Sequence, residues 1–277
     1  MEEARVDEGA LDSAAEYAIR NTKHFIESFG PREPGSESER KAQEQVQREL
    51  EHYADEVRTE PFQVTPKAFM GFLPAATVLL LASAFVYSVV PWLALLLSVS
   101  ALAVVVLEFG MYKQFLDPFL PKKTSHNVYA VRKASGDAKR TIIVSGHVDS
   151  AYEMRFNLIG RFALLGVGAL GVTCLVFLLF VNMAHVLLGD VLLSRIGAVW
   201  HAVEWLRFVI VPASIPAFLF TRFSFVVPGA NDNLTGTFVA MAVMKHLHEK
   251  AIRFDNTEVA CLITGSEEAG LRGAKAF

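Results

Sequence analysis

The sequence predicts an α/β fold that is interrupted by two apolar helical hairpins. Hydrophobic residues make up 52% of the 277 residues and charged residues 20%, a more apolar composition than a soluble enzyme usually has. The apolar excess is confined to two blocks. Outside these blocks, helical periodicity and strand-like alternation follow one another along the chain, which is typical of an α/β domain.

The segment before the first block predicts two helices and a strand. Apolar residues recur at helical spacing over 11–29. A second helix is predicted from Ser36 to about Tyr53, because Ser36 and Glu39 have the spacing of a capping box. Residues 57–64 alternate well enough to form a strand.

The first apolar block, 68–107, contains no charged residue. One membrane-spanning helix needs about 20 apolar residues, so the block is long enough for two helices. Pro91 lies near its middle and is a plausible turn. We therefore predict a transmembrane hairpin over 68–109.

The second apolar block predicts another hairpin, over 160–221. Residues 162–189 carry no formal charge and are long enough to span a membrane. Residues 196–220 contain Glu204 and Arg207; we interpret them as a fourth span with a polar first turn, and an interfacial or re-entrant helix is the alternative. An even number of spans returns the chain to the same side, as an interrupted soluble domain requires.

The remaining segments resemble a soluble α/β domain in composition. Short β-branched runs predict strands over 127–132, 141–146 and 259–264, of the kind found buried in α/β sheets. A helix is predicted over 235–250, and another is predicted to begin near Glu267. We predict that one domain is built from residues 1–66, 124–157 and 226–277.

Basic residues near the ends of the predicted spans are concentrated on the side of this domain. Arg195 lies on the opposite side. The positive-inside rule therefore predicts a multi-pass membrane protein whose domain is cytoplasmic. The acidic N-terminus shows no cleavable signal peptide, so membrane insertion would use internal segments. The basic residues on the domain side are Lys67, Lys113, Lys122, Lys123, Arg155, Arg161 and Arg222.

Charge and cysteine content argue against a nucleic-acid partner and against a thiolate zinc site. The formal net charge is −3, and no basic run is present, so we do not expect a nucleic-acid partner. Cys174 and Cys261 are the two cysteines, and neither belongs to a C-x-x-C pair. A thiolate zinc site is therefore not indicated.

Gly146-His147-Val148-Asp149-Ser150 directly follows a predicted strand. Open α/β sheets place their sites at the carboxyl ends of strands. Side chains at positions i and i+2 leave the same side of an extended chain, so His147 can bind a metal while Asp149 orients its imidazole. A capped loop would have the same sequence, so this motif alone is weak.

Two further polar segments open predicted helices. In Gly229-Ala230-Asn231-Asp232-Asn233-Leu234-Thr235-Gly236, Asp232 either caps the helix or binds a cation. In Thr264-Gly265-Ser266-Glu267-Glu268-Ala269-Gly270-Leu271, two adjacent acids follow a buried strand. They are either acids at a helix N-terminus or a metal ligand beside a general base.

In this order, the three segments resemble the co-catalytic zinc aminopeptidase family, which also includes carboxypeptidase-like, transferrin-receptor-like and glutaminyl-cyclase-like members. Pro31-Arg32-Glu33-Pro34-Gly35-Ser36 is similar to the family's N-terminal Arg-x-Pro-Gly-Ser segment. Ser125-His126-Asn127-Val128 is similar to its Asn-Val strand. The resemblance implies a three-layer α/β/α domain with a mixed sheet, here interrupted by the two hairpins.

The resemblance also implies a role for each acidic or histidine side chain of the motifs. His147 would bind one zinc ion and Asp149 would orient it. Asp232 would bridge two zinc ions, Glu268 would bind the second, and Glu267 would be the general base. The implied activity is hydrolysis of N-terminal residues from a peptide substrate by a zinc metallopeptidase embedded in the lipid bilayer.

The family pattern includes a later Asp and a later His that the 277 residues do not supply in order. We therefore expect this sequence to be a C-terminally incomplete member that is inactive by itself, with two zinc ions in the complete protein. A non-catalytic membrane receptor or scaffold and acyl transfer of the glutaminyl-cyclase kind remain alternatives. Oligomeric state and side-chain preference are not readable from the sequence.

Overall fold

The computed structural model describes residues 8–156, 160 and 162–277. Its helices, in chain order, are α1 (Glu8–Phe29), α2 (Glu37–Leu50), α3 (Ala68–Val86), α4 (Pro91–Val104), α5 (Ala163–Leu193), α6 (Ala198–Leu206), α7 (Ile210–Phe220), α8 (Thr235–Glu249) and α9 (Arg272–Ala276). Its strands are β1 (Glu56–Val64), β2 (Lys123–Arg132), β3 (Arg140–His147), β4 (Tyr152–Met154), β5 (Thr221–Val226) and β6 (Thr257–Thr264).

The chain divides into two compact units. The first unit comprises the chain up to Pro66, Pro121–Tyr152 and Phe225–Phe277. The second comprises Lys67–Leu120 and Glu153–Ser224. The strands of the main sheet and the polar motifs fall in the first unit, and the apolar helices fall in the second.

The first unit is built on a four-stranded mixed sheet in the order β1-β2-β6-β3. β1 pairs antiparallel with β2, β2 antiparallel with β6, and β6 parallel with β3. The predicted α/β class with a mixed sheet is confirmed. The parallel register pairs His147 with Thr264, so the two strands that precede polar motifs end side by side.

Helices α1, α2 and α8 cover one face of the sheet. Their apolar side chains form one buried cluster with Val128 of β2 and Ile263 of β6. Phe25 is 1% exposed, and its ring lies 4.7 Å from the ring of Phe238 in an edge-to-face arrangement. Phe277 follows the short helix α9, and its ring contacts Tyr129 on the opposite face.

The structure corrects two details of the predicted elements. β3 was predicted to be buried, but it is an edge strand among the described residues, and Ile142 and Ile143 are 52% and 46% exposed. The last helix was predicted to begin near Glu267, but α9 begins at Arg272. Gly270 and Leu271 are the physical reason, because their positive φ angles (95° and 59°) cannot belong to a right-handed helix.

The second unit contains four helical segments that are long and apolar enough to cross a membrane. These are Ala68–Val86, Pro91–Gly110, Ala163–Leu193 and Ala198–Leu219. The fourth segment joins α6 to α7 through a 3₁₀ turn at Arg207–Val209. These segments match, by length and composition, the four predicted spans.

A buried amide joins three of these helical segments. Asn182 Nδ2 of α5 donates to Ser83 Oγ of α3 at 2.8 Å and to Ser98 Oγ of α4 at 3.0 Å. Small residues at this contact, Ala84 and Ala94, are fully buried. Small residues and interhelical hydrogen bonds are the usual means of packing helices in an apolar solvent.

Gly146 is the point where β3 meets α8 most closely. A Cβ atom at Gly146 would lie 2.5 Å from the backbone nitrogen of Thr237 and 2.7 Å from its Cα. The hydroxyl of Thr237 also donates to the carbonyl of His147 at 2.8 Å. Only a glycine therefore allows α8 to seat against the end of β3.

We predict that Gly146→Ala lowers stability by about 1–3 kcal/mol, the cost of overpacking a core against backbone atoms. The measurement is the apparent melting temperature of the purified protein. Gly168→Ala in α5 is the matched control, because a Cβ there would meet nothing within 4 Å. Equal melting temperatures for the two variants would contradict the prediction.

Candidate metal and catalytic site

The site begins with His147, the last residue of β3. Its side chain is almost fully buried, at 6% exposure. Nε2 lies 3.3 Å from Asp232 Oδ1 and 3.4 Å from Glu267 Oε2. The imidazole is therefore the meeting point of all three polar motifs, which are far apart in the sequence.

Asp149 connects His147 to the adjacent acids. It is fully buried, and its Oδ1 lies 3.3 Å from His147 Nδ1. The same oxygen accepts a hydrogen bond from the Glu267 amide at 3.0 Å, and Oδ2 accepts one from the Glu268 amide at 2.8 Å. One carboxylate thus lies beside the imidazole and also fixes the backbone of both acids.

We call residues 265–268 the acidic turn. Each of its four amides donates to a side-chain oxygen, since the amide of Gly265 donates to Asn127 Oδ1 at 3.2 Å and that of Ser266 donates to Glu39 Oε1 at 2.6 Å. The other two amides donate to Asp149. The acids are therefore not in the first turn of a helix, and side chains distant in sequence define the conformation of the turn.

Asp232 does not cap the helix that follows it. The cap is made by Asn233, whose Oδ1 accepts a hydrogen bond from the Gly236 amide at 3.1 Å. The Asp232 side chain is 79% exposed and directs Oδ1 to His147 Nε2. Of the two roles left open by the sequence, this geometry favours cation binding.

Arg32 joins the loops behind the site, a role that the sequence did not reveal. It is fully buried, and its guanidinium donates to the carbonyls of Gly30, Val148 and Pro228 at 2.6, 2.5 and 2.8 Å. Burial lowers its pKa to about 10, against the opposing effect of the Asp149 and Glu39 charges. The sequence feature that could have pointed to Arg32 was its place in the segment that resembles the family's Arg-x-Pro-Gly-Ser motif.

Burial and neighbouring charges shift the pKa values of the carboxyl groups in the acidic turn. Burial, followed by the charges of Asp149 and Asp232, raises the pKa of Glu268 to about 7. Burial also raises the pKa of Glu267, while the charge of His147 opposes the shift. Burial lowers the pKa of His147, but contact with Asp149 and the charges of both glutamates outweigh it and raise this pKa to about 9.

These side chains suit a metal ion. Ligand atoms of His147, Glu267 and Glu268 lie within 4.8 Å of one another. Glu268 Oε1 is buried and has no hydrogen-bond partner among the described residues, although a buried carboxylate oxygen normally requires one. One imidazole nitrogen with carboxylate oxygens is a donor set that zinc accepts.

The compact group of possible metal ligands differs in one member from the predicted set. The predicted ligands were His147, Asp232 and Glu268, whereas the compact group contains Glu267 in place of Asp232. Asp232 remains adjacent, because its Oδ1 reaches His147 Nε2 at 3.3 Å. All five predicted site residues, including Asp149, therefore lie together at the end of β3 and β6.

Residues 215–277 match the model of Peptidase family M28. The resemblance to the zinc exopeptidases that the motifs indicated is confirmed by this match. The matched segment contains Asp232, Glu267 and Glu268 but not His147. No curated protein matches the chain.

Two solved structures are similar to the chain at low sequence identity. A glutaminyl cyclase from Fimbriiglobus ruber shares 14% identity with a TM-score of 0.43, over 95% of this chain and 53% of that one. An aminopeptidase from Aneurinibacillus sp. strain AM-1 shares 13% identity with a TM-score of 0.44, over 95% of this chain and 66% of that one. The chain therefore spans between about half and two thirds of the length of these structures.

Proposed function

We propose that the chain is part of a membrane-embedded, zinc-dependent aminopeptidase that removes N-terminal residues from peptides. The observation that carries this proposal is the convergence of Asp232, Glu267 and Glu268 on His147. The M28 match over 215–277 supports peptidase chemistry at this convergence. The donor set supports zinc as the metal.

Within this proposal, the complete protein binds two zinc ions. His147 would hold one ion and Glu268 the other, with Asp232 as the ligand common to both. Zinc would supply Lewis-acid polarisation of the substrate carbonyl and would lower the pKa of water to about 7. Asp149 keeps the imidazole of His147 in the orientation that leaves Nε2 free for the metal.

Glu267 is the proposed general base. Its side chain is 29% exposed, so the carboxylate can reach both the site and a bound substrate. A base works best when its pKa lies close to the working pH, and burial raises the pKa of Glu267 in that direction. Glu267 takes a proton from the attacking water and delivers it to the leaving amine.

A non-catalytic scaffold is less consistent with this arrangement. Placing carboxylates side by side away from water lowers stability; Asp149 is fully buried, and the half-buried Glu268 is adjacent to Glu267. A scaffold would gain nothing from that cost. A metal site explains it, because cations neutralise the converging charges.

We predict that Glu267→Gln lowers kcat for an aminoacyl anilide about 100- to 10,000-fold in the full-length protein, the range expected for loss of a general base. Glutamine keeps the size of the side chain but cannot accept a proton at neutral pH. Zinc content is measured in parallel, because Glu267 also belongs to the compact ligand group.

Glu27→Gln is the matched control, since Glu27 lies on the exposed surface of α1 with 64% side-chain exposure. It should leave kcat unchanged. Full activity in Glu267→Gln would rule out Glu267 as the base. Loss of zinc together with activity would instead assign Glu267 as a ligand.

We further propose that the four apolar segments cross the membrane and that the peptidase domain is cytoplasmic. The length and hydropathy of the segments support the crossing, and the distribution of basic residues supports the orientation. The turns of both hairpins would then face the outside. Val89 and Val191 lie in or next to these turns and are 80% and 78% exposed.

We predict that cysteines placed at Val89 and Val191 react with a membrane-impermeant maleimide added to intact cells. The native Cys174 and Cys261 are buried and contribute little background. A cysteine at Asp137, on an exposed loop of the domain, should react only after permeabilisation. The opposite labelling pattern would reverse the orientation.

A further inference from the structure

Glu39 has a role that its position at the start of α2 does not explain. The amide of Glu39 donates to Ser36 Oγ at 3.1 Å, which is half of the predicted capping box. The carboxylate does not bond to the Ser36 amide, which a complete capping box requires. It is instead 1% exposed and lies between α2, β2 and the acidic turn.

Four hydrogen-bond donors surround the carboxylate of Glu39. Oε2 accepts from the Gly35 amide at 2.7 Å and from Ser125 Oγ at 2.9 Å. Oε1 accepts from the amide and the hydroxyl of Ser266 at 2.6 and 3.0 Å. All four groups donate, which suits an ionised carboxylate because it can only accept hydrogen bonds.

The buried position of Glu39 is costly for a residue that only caps a helix. Burial, and then the neighbouring charge of Asp149, raise the pKa of its carboxyl group. A capping glutamate at a solvated helix end would avoid both penalties. The contact with Ser266, two residues before Glu268, therefore explains the burial of Glu39 better than helix capping does.

We propose that Glu39 is a positioning residue that sets the direction of the Glu267 and Glu268 carboxylates through the backbone of Ser266. The proposal rests on the function proposed above for the same site. Glu39 and Asp149 divide the task, because Glu39 holds the amide of Ser266 and Asp149 holds the next two amides.

The backbone of the acidic turn needs such support. Ser266 has a left-handed conformation with φ 51°, which is unfavourable for a residue with a side chain. A Cβ at Gly265 would overlap the side chains of Gln43 and Ser125, so the turn is packed directly against α2 and β2. Without Glu39, the amide and the hydroxyl of Ser266 lose Oε1, the common acceptor that holds this conformation in place.

A small displacement of the acidic turn is enough to lower the rate of the reaction. Glu267 Oε2 lies 3.4 Å from His147 Nε2, and a misplacement of about 1 Å can lower a rate about 100-fold. Binding of the substrate peptide depends less on this geometry than proton transfer does. Loss of Glu39 should therefore affect kcat and zinc affinity more than KM.

The test compares Glu39→Gln with Glu44→Gln in the full-length protein. Glutamine keeps the shape of the side chain but places an amide group against one pair of donors. Glu44 lies on the same helix, is 41% exposed and contacts Arg40, so it controls for charge loss on α2. The readouts are kcat and KM for an aminoacyl anilide, and the zinc dissociation constant.

For Glu39→Gln we expect kcat and zinc affinity to fall about 10- to 100-fold, as for other residues that orient metal ligands, with KM changed less than about twofold. Glu44→Gln should match the wild type. A Glu39→Gln variant that melts earlier but keeps its kcat and zinc affinity would overturn the proposal, because Glu39 would then be structural only.

Two further measurements keep the outcome interpretable. If Glu39→Gln does not fold, Ser266→Ala removes one of the four donors and should still lower kcat several-fold at constant KM. Unchanged kcat in this variant overturns the proposal.

If the wild type binds zinc but cleaves no peptide, the proposed activity fails, and the zinc affinity of Glu39→Gln still decides the role of Glu39. A wild type that binds no zinc refutes both.

Discussion

The site depends on the two hydrogen bonds that Asp149 accepts from the amides of Glu267 and Glu268. The same carboxylate contacts His147 Nδ1 at 3.3 Å, so one side chain sets the distance between the imidazole and both acids. This is possible only because β3 and β6 are parallel and in register at their carboxyl ends. The sheet topology therefore determines where Asp149 lies relative to the imidazole and to both acids.

The platform beneath the site is made of buried charges, which is unusual for a structural core. Arg32, Glu39 and Asp149 are each 1% exposed or less. Their hydrogen bonds run mainly to backbone amides and carbonyls of the loops that carry the motifs. Removing Arg32 would leave the two buried carboxylates uncompensated, which is strongly destabilising for buried charges. The N-terminal segment therefore contributes to the site although none of its side chains lies in the compact ligand group.

Sequence patterns predicted the helices and strands better than the side-chain contacts made between them. Apolar periodicity and the uncharged blocks located the main helices, and β-branched runs located β2, β3 and β6. His147, Asp232 and Glu267 lie together, as the family resemblance implied. The acidic turn was misread as a helix start because its amides bond to side chains distant in sequence. Glu39 was read as a capping residue for the same reason, since local spacing does not reveal a contact with Ser266.

Zinc binding by the Asp149→Asn variant of the full-length protein tests most directly whether Asp149 organises the site. Asparagine has the same shape but offers only one acceptor oxygen, so it cannot hold both amides of the acidic turn. We predict zinc affinity at least about tenfold weaker than in the wild type, with an unchanged far-ultraviolet circular dichroism spectrum. Equal zinc affinity in a folded variant would contradict the central role of Asp149.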